Sequence, residues 1–503
     1  MTDHALRRLR ENPRLAELAA FPFNFDLDRA DHGEPVRLAS GRPLKPIAGD
    51  DLGGTYFLCA DGPVLYADSE GSAGVIGSSV DEALEVLVGL PSWYDHLGLT
   101  PADGTERILA AVAESEAEIR EHHGIDAERA ELRAALGLPE RSSVELVGLL
   151  HAALLGTEPD FLLINAVEGG AHSLLDPHPR PPLWEAVLER GRTDLALQRE
   201  GSSWEEVARD RTRRALALRA AQYDRRDTDL ALLRHLLKHE AEASMTDELR
   251  LAAVLVGLHG LAEDLPLLYE VRETTYDTWC GLGGMPEPGE SGDRLREWAE
   301  DLDDSRFGTD PSDETVFTWS GLAREQGMVE LARVSLIRLL DEIDFRAYQN
   351  ERQGKPPDRL DAAQLRSLTY ELEDLGDIFQ ALRAHRLHVP LETRVQDRVS
   401  ALLKLARLER ETGRLPAAIS TLAQLRDTLA RPADDTLPYW RGTNLGAFIV
   451  EEHHEVARAA AADGSLTEEV REVTEAAAAL LAELSEAARA SVRPKSIPQS
   501  PPG

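Results

Sequence analysis

Cysteine is almost missing from this 503-residue chain. Cys59 and Cys280 stand far apart in apolar or aromatic surroundings. Two distant thiols supply neither a disulfide framework nor a metal knuckle, which fits a reducing cytoplasm. Long apolar runs are missing as well. No stretch reaches the length of a transmembrane helix, and the amino-terminal MTDHALRRLRENPRL lacks the apolar core of a signal peptide. Cytoplasmic location without membrane association is the expectation. Positive charge is scarce, with 55 Lys and Arg against 90 Asp and Glu and a formal net charge of −35. Such a balance argues against nucleic acid and anionic lipid and leaves basic partners or none. The hydrophobic fraction, 42%, is ordinary, so the chain can build cores for two to four domains.

The most informative stretch is 46–91. Two runs, 55–60 and 63–67, are rich in aromatic and β-branched residues and are separated by Asp61-Gly62, which predicts a hairpin. A third short run, 74–77, leads to Ser78-Ser79. These cap a helix whose apolar face is Val80, Ala83, Leu84, Leu87 and Val88. Three strands and a helix make a small α+β module, and strand alternation predicts that one of Tyr56 and Phe57 points inward and the other outward. The same region is electrically one-sided. Between Pro46 and Glu106 there are eleven acidic residues and no Lys or Arg.

The order Gly49-Asp50-Asp51-Leu52-Gly53-Gly54-Thr55-Tyr56-Phe57-Leu58, then Gly62-Pro63-Val64-Leu65-Tyr66-Ala67-Asp68, then Ile76-Gly77-Ser78-Ser79-Val80-Asp81-Glu82-Ala83-Leu84 resembles the core of the SUKH superfamily. That resemblance implies a binding module of the kind found in bacterial immunity proteins that neutralise secreted toxins, and in fungal regulatory proteins. It covers about a tenth of the chain. Asp50, Asp51, Asp68 and Glu70 are then the candidate contacts for a basic protein partner, with Tyr66 as an aromatic anchor if it is exposed; taken singly, Tyr56, Phe57 and Tyr66 read as core and Asp50-Asp51 as turn formers. The excess of Arg over Lys and the abundance of Ala suit a GC-rich bacterial genome.

Around the module the chain reads as follows. Residues 1–45 form a lead-in, with a helix over 2–20 interrupted at Asn12-Pro13, an irregular part, and Val36-Arg37-Leu38 as a short strand. The module occupies 46–100. Residues 101–200 are mainly helical, with Phe161-Leu162-Leu163-Ile164 readable as a strand or a helix end. Helical hairpins are expected over 201–349 and repeat-like helices over 359–491, joined by the linker NERQGKPPD, with a disordered tail at 492–503. Trp279-Cys280-Gly281-Leu282-Gly283 recurs forty residues on as Trp319-Ser320-Gly321-Leu322-Ala323. Gly followed five residues later by Ala recurs at Gly327/Ala332, Gly376/Ala381 and Gly413/Ala418, where Gly ends one helix and the small residue lets the next approach. These segments resemble tetratricopeptide hairpins, which implies a peptide-binding scaffold.

Residues that could carry chemistry do not converge. In Glu451-Glu452-His453-His454-Glu455 only Glu451 and Glu455 share a helix face, and the cluster has no His-x-x-x-His pair. His122-His123 has the same defect. His172, Ser173, Asp176 and His178 lie in a proline-rich turn without a nucleophile elbow, where Asp176 suits turn capping. Gly53-Gly54 and Gly169-Gly170 lack the pattern of a phosphate loop. The sequence therefore predicts an α+β protein, a small antiparallel-sheet module followed by a mainly α-helical, solenoid-type region, acting by protein–protein interaction. No enzymatic activity, cofactor or metal is expected. Either the module binds a basic toxin domain stoichiometrically, or the helical carboxy-terminal half is a scaffold that binds peptides.

Overall fold

Among the described residues seven strands form: β1 (Val36–Leu38), β2 (Leu44–Gly49), β3 (Thr55–Cys59), β4 (Val64–Ala67), β5 (Ser72–Gly77), β6 (Leu163–Asn165) and β7 (Ser173–Leu174). Helices make up most of the rest. The computed structural model describes residues 4–242, 244–356, 358–430, 437–464 and 467–492, so the tail expected beyond 492 lies outside the described residues. The described chain divides into two compact units, 4–32 with 38–162 and 173–335, and 33–37 with 163–172 and 336–492.

In the first unit the predicted hairpin and its neighbours form a five-stranded sheet in the order β2-β3-β4-β5-β7, antiparallel except for the β5–β7 pair. Tyr56 lies opposite Tyr66, and Tyr66 opposite Gly74. Gly62, with φ of 108°, makes the β3–β4 turn that a side chain would strain. Helix Val80–Gly89 begins where expected, with the Ser79 hydroxyl accepting from the Glu82 amide at 3.1 Å.

Two expectations change here. Tyr56 and Phe57 are both buried, because the sheet is covered on both faces. Tyr56 packs against Phe25 and Tyr66, while Phe57 meets the His32 ring at 5.3 Å. And 44–49, read as irregular lead-in and turn, is the edge strand β2. Its Pro46 sits at a bulge, which the edge of a sheet tolerates because a donor is not needed there.

The lead-in is part of the module's core. Helices His4–Glu11 and Pro13–Ala20, separated at Asn12 as expected, bury Leu6, Leu9 and Leu15 among the residues that also line the sheet and helix Val80–Gly89. Each fully buried leucine contributes about 1.5–3 kcal/mol. Helices Thr105–His122, Ile125–Leu136 and Ser143–Leu155 close the same core through Ile108, Leu132, Leu146 and Leu150. The remainder of the unit is helical around a second core that includes Leu236, Val254, Leu268 and Leu295. The Trp-x-Gly-Leu recurrence does not mark equivalent positions. Trp319 is 2% exposed and donates to the Pro311 carbonyl, whereas Trp279 is 47% exposed.

In the second unit, β1 pairs with β6, which settles the ambiguous 160–167 segment as a strand with a turn after it. The Asn165 side chain accepts from the amides of Val167 and Glu168 to hold that turn. Helices then fold back in pairs: Arg359–Asp374 with Ile378–His388, Val395–Glu411 with Leu415–Ala430, and Asn444–Asp463 with Thr467–Glu483. Gly376 (φ 73°) and Gly413 (φ 74°) each close a Schellman turn, in which the next amide donates five residues back, Asp377 to Leu372 and Arg414 to Glu409. Gly327, in the first unit, does the same through Met328 and Ala323. Ala332, Ala381 and Ala418 are fully buried, as the recurrence predicts. No helix among the described residues is long and apolar enough to cross a membrane.

Candidate functional site

The Asp50 and Asp68 turns are built alike. Asp50 Oδ1 accepts from the amides of Leu52 (2.9 Å) and Gly54 (2.7 Å), and Oδ2 accepts from the Tyr66 hydroxyl at 2.6 Å. Asp68 Oδ1 accepts from the amides of Glu70 (2.9 Å) and Ser72 (2.7 Å), and Oδ2 accepts from the Tyr94 hydroxyl at 2.8 Å. Each carboxylate thus ties down a five-residue turn and is clasped from behind by a phenol. Burial and the adjacent Asp50 raise the Tyr66 phenol, while burial and the bond to Asp68 push Tyr94 up to about 12, so both remain donors. A Cβ on Gly54 would lie 2.2 Å from the Tyr66 hydroxyl, which explains why glycine stands there.

Of the five residues expected to meet a partner, three are therefore inside. Tyr66 is 3% exposed, so the expectation of an exposed anchor is corrected, and Asp50 and Asp68 are buried with it. The ring of Tyr66 is packed among Tyr56, Trp93 and Tyr94. Asp51 and Glu70 remain exposed at the turn tips. Next to Asp51 in the first turn is an apolar side chain not anticipated as a contact, Leu52, 78% exposed.

The second unit carries a groove of ≈ 970 Å³. Most of its lining comes from the first helix of each of three successive pairs: Tyr370 from the first, Ser400, Leu403, Lys404, Arg407 and Arg410 from the second, and Leu445, Phe448, Glu451 and Glu455 from the third. A ≈ 200 Å³ pocket that includes His385, His388 and Glu392 shares Tyr370, Ser400 and Lys404 with it and prolongs it. Tyr370 (56%) and Phe448 (54%) are exposed aromatic surfaces in the groove wall. Lys404 Nζ sits 3.4 Å from the Tyr370 ring centroid and 2.5 Å from Glu373 Oε2. Arg410 meets Glu452 Oε1 at 2.7 Å. Burial raises the Glu452 carboxyl against the pull of that guanidinium. Burial holds His385 down to about 4, with its Nε2 2.8 Å from the Ala401 carbonyl. A peptide-binding groove in the helical half is among the sequence expectations, but its lining residues could not be named because they share no local pattern.

The other sequence candidates resolve structurally. His453 is buried, with Nδ1 2.7 Å from the Ile449 carbonyl and Nε2 3.2 Å from Arg426, and Glu452 is taken by Arg410. Asp176 caps its turn as expected, accepting from the His178 amide and from both terminal nitrogens of Arg180. One triad of metal-ligating types was overlooked: His235-x-x-x-His239 on helix Leu230–Glu240, facing Glu205. The pair's spacing is legible in the sequence, but Glu205 lies a helix and two turns away. Comparison of the chain with protein-family models, curated proteins and solved structures finds no match in any of the three.

Proposed function

We propose that the chain is a protein-binding scaffold whose second unit holds a peptide segment of its partner in the Tyr370–Phe448 groove. The observation that carries this reading is the wall itself, in which the first helices of three consecutive pairs present two exposed aromatic rings and a row of cations to one cavity. Exposed aromatics beside cations are what anchor a peptide, since rings bury large areas at low entropic cost and guanidinium groups take carboxylates. Five cations line the groove, each with a partner a peptide carboxylate would share: Lys404 and Arg407 on Glu373, Arg410 on Glu452, Arg458 on Glu455, and Arg489 on the Leu481, Ala482 and Leu484 carbonyls. A peptide with an apolar anchor and an acidic flank fits that lining. The arrangement resembles the concave face of a tetratricopeptide solenoid, and the repeat reading belongs to this proposal. The test is selection of binding peptides from a random displayed library on the full chain, followed by measurement of the selected peptides on Phe448→Ala and Tyr370→Ala.

A second reading keeps the SUKH resemblance and places a basic protein, such as a toxin domain, on the amino-terminal module. The exposed Asp51, Leu52 and Glu70 favour it, since acids speed encounter and a protruding leucine can be buried on contact. Asp50, Asp68 and Tyr66 then act by shaping the turns. If this reading holds, Asp51→Asn with Glu70→Gln slows association with a cationic partner and flattens its salt dependence, and unchanged salt slopes remove it.

A further inference from the structure

We propose that Glu205, His235 and His239 form a binding site for a divalent transition-metal ion of the zinc type, outside both binding surfaces discussed above. Glu205 Oε2 stands 3.7 Å from His235 Nε2 and 3.7 Å from His239 Nε2, and the three ligand atoms all lie within 4.8 Å of one another. At 3.7 Å none of these is a hydrogen bond. Ligand atoms around a tetrahedral zinc ion, bound at 2.0–2.2 Å, sit about 3.4 Å apart, so each carboxylate–imidazole separation closes by about 0.3 Å, and side-chain rotation brings the two imidazole nitrogens, within 4.8 Å of each other, onto the same ion. The two imidazoles are one helical turn apart on helix Leu230–Glu240, which puts them on one face. Glu205 reaches them from helix Trp204–Arg209.

A second observation points to a ligand. His235 Nε2 is buried and makes no hydrogen bond to the protein, which costs free energy unless something coordinates it. Other side chains surround the triad. The Trp204 ring packs beside His235, with centroids 5.8 Å apart. Glu242 Oε1 lies 3.9 Å from His239 Nδ1, and Arg209 holds the other oxygen of Glu205 at 2.7 Å. Two imidazoles and one carboxylate select zinc, cobalt or nickel over magnesium and calcium, which prefer oxygen. Glu205 is exposed, so the coordination sphere is completed from solvent.

The test is a zinc(II) titration of the tag-free full chain against a chromophoric chelator, repeated with cobalt(II), whose visible absorption reports coordination, and with magnesium(II). The expected result is one zinc per chain and cobalt bands of four- or five-coordinate type. Magnesium should not compete, and zinc affinity should fall at least 100-fold in His235→Ala/His239→Ala. Glu205→Gln, at an exposed position that leaves the fold intact, should weaken zinc by 10-fold or more. Zinc stoichiometry and affinity that are the same in wild type and both variants would overturn the proposal, as would the absence of any stoichiometric zinc binding to the wild type.

Discussion

Removing the Tyr66 hydroxyl leaves one oxygen of the buried Asp50 carboxylate without its donor. Tyr66→Phe is therefore expected to lower the unfolding free energy by about 1–3 kcal/mol in urea titration. Asp51→Asn and Glu70→Gln, on exposed tips, should stay within about 0.5 kcal/mol of wild type. Equal losses for all of these would mean that the turns are not clasped as described. The sequence showed the acidic, glycine-containing turns and offered Tyr66 both a core and a surface role, but it did not pair the phenols with the carboxylates. Periodicity reports which residues are apolar and not which phenol crosses a sheet to which carboxylate, and here the partners lie 16 and 26 residues apart. The His235–His239 pair was readable from spacing alone. Its third member was not, because Glu205 becomes a neighbour only when two helices pack.

Among the elements, the helix pairs were the most legible, because each turn depends on a glycine in a conformation other residues avoid. Gly376→Ala, at φ 73° with open space around it, should cost about 1 kcal/mol through backbone strain alone, and a stability change near zero would contradict the Schellman turn. The edge strand β2 was illegible for the converse reason, since Pro46 normally argues against a strand and only its edge position permits it. Helix Asn444–Asp463 carries a pH dependence. Its His453 is neutral and satisfied on both nitrogens, and burial holds it down to about 4. With the unfolded value near 6.5, the unfolded chain takes up a proton first as pH falls. The contribution of this residue is then full above about pH 6.5 and is lost toward pH 4, by an amount on the order of 3 kcal/mol. His453→Gln should be less stable at pH 7 yet show a shallower loss of thermal midpoint between pH 6.5 and 4.5. An unchanged slope would mean that His453 does not titrate as described.

At the scale of the whole molecule, a chain of net charge −35 presents two surfaces of different kind: acidic tips with a protruding leucine in the first unit, and a cation-lined aromatic groove in the second. The α+β plan was readable from the strand runs at 55–60 and 63–67 and from the shift toward Ala, Leu, Glu and Arg beyond Trp93 and Tyr94. The lining of the groove was not, because it exists only once three helices from separate pairs stand side by side, and no local pattern links Tyr370 to Phe448. That groove is the central claim. Its most direct test is peptide selection on the full chain followed by affinity measurement on Tyr370→Ala, Phe448→Ala and the Asp51→Asn/Glu70→Gln pair. Selected peptides should carry an apolar anchor beside acidic residues, lose at least tenfold in affinity on either groove variant, and bind the tip variant as they bind wild type. Peptides that bind both groove variants unchanged would contradict it.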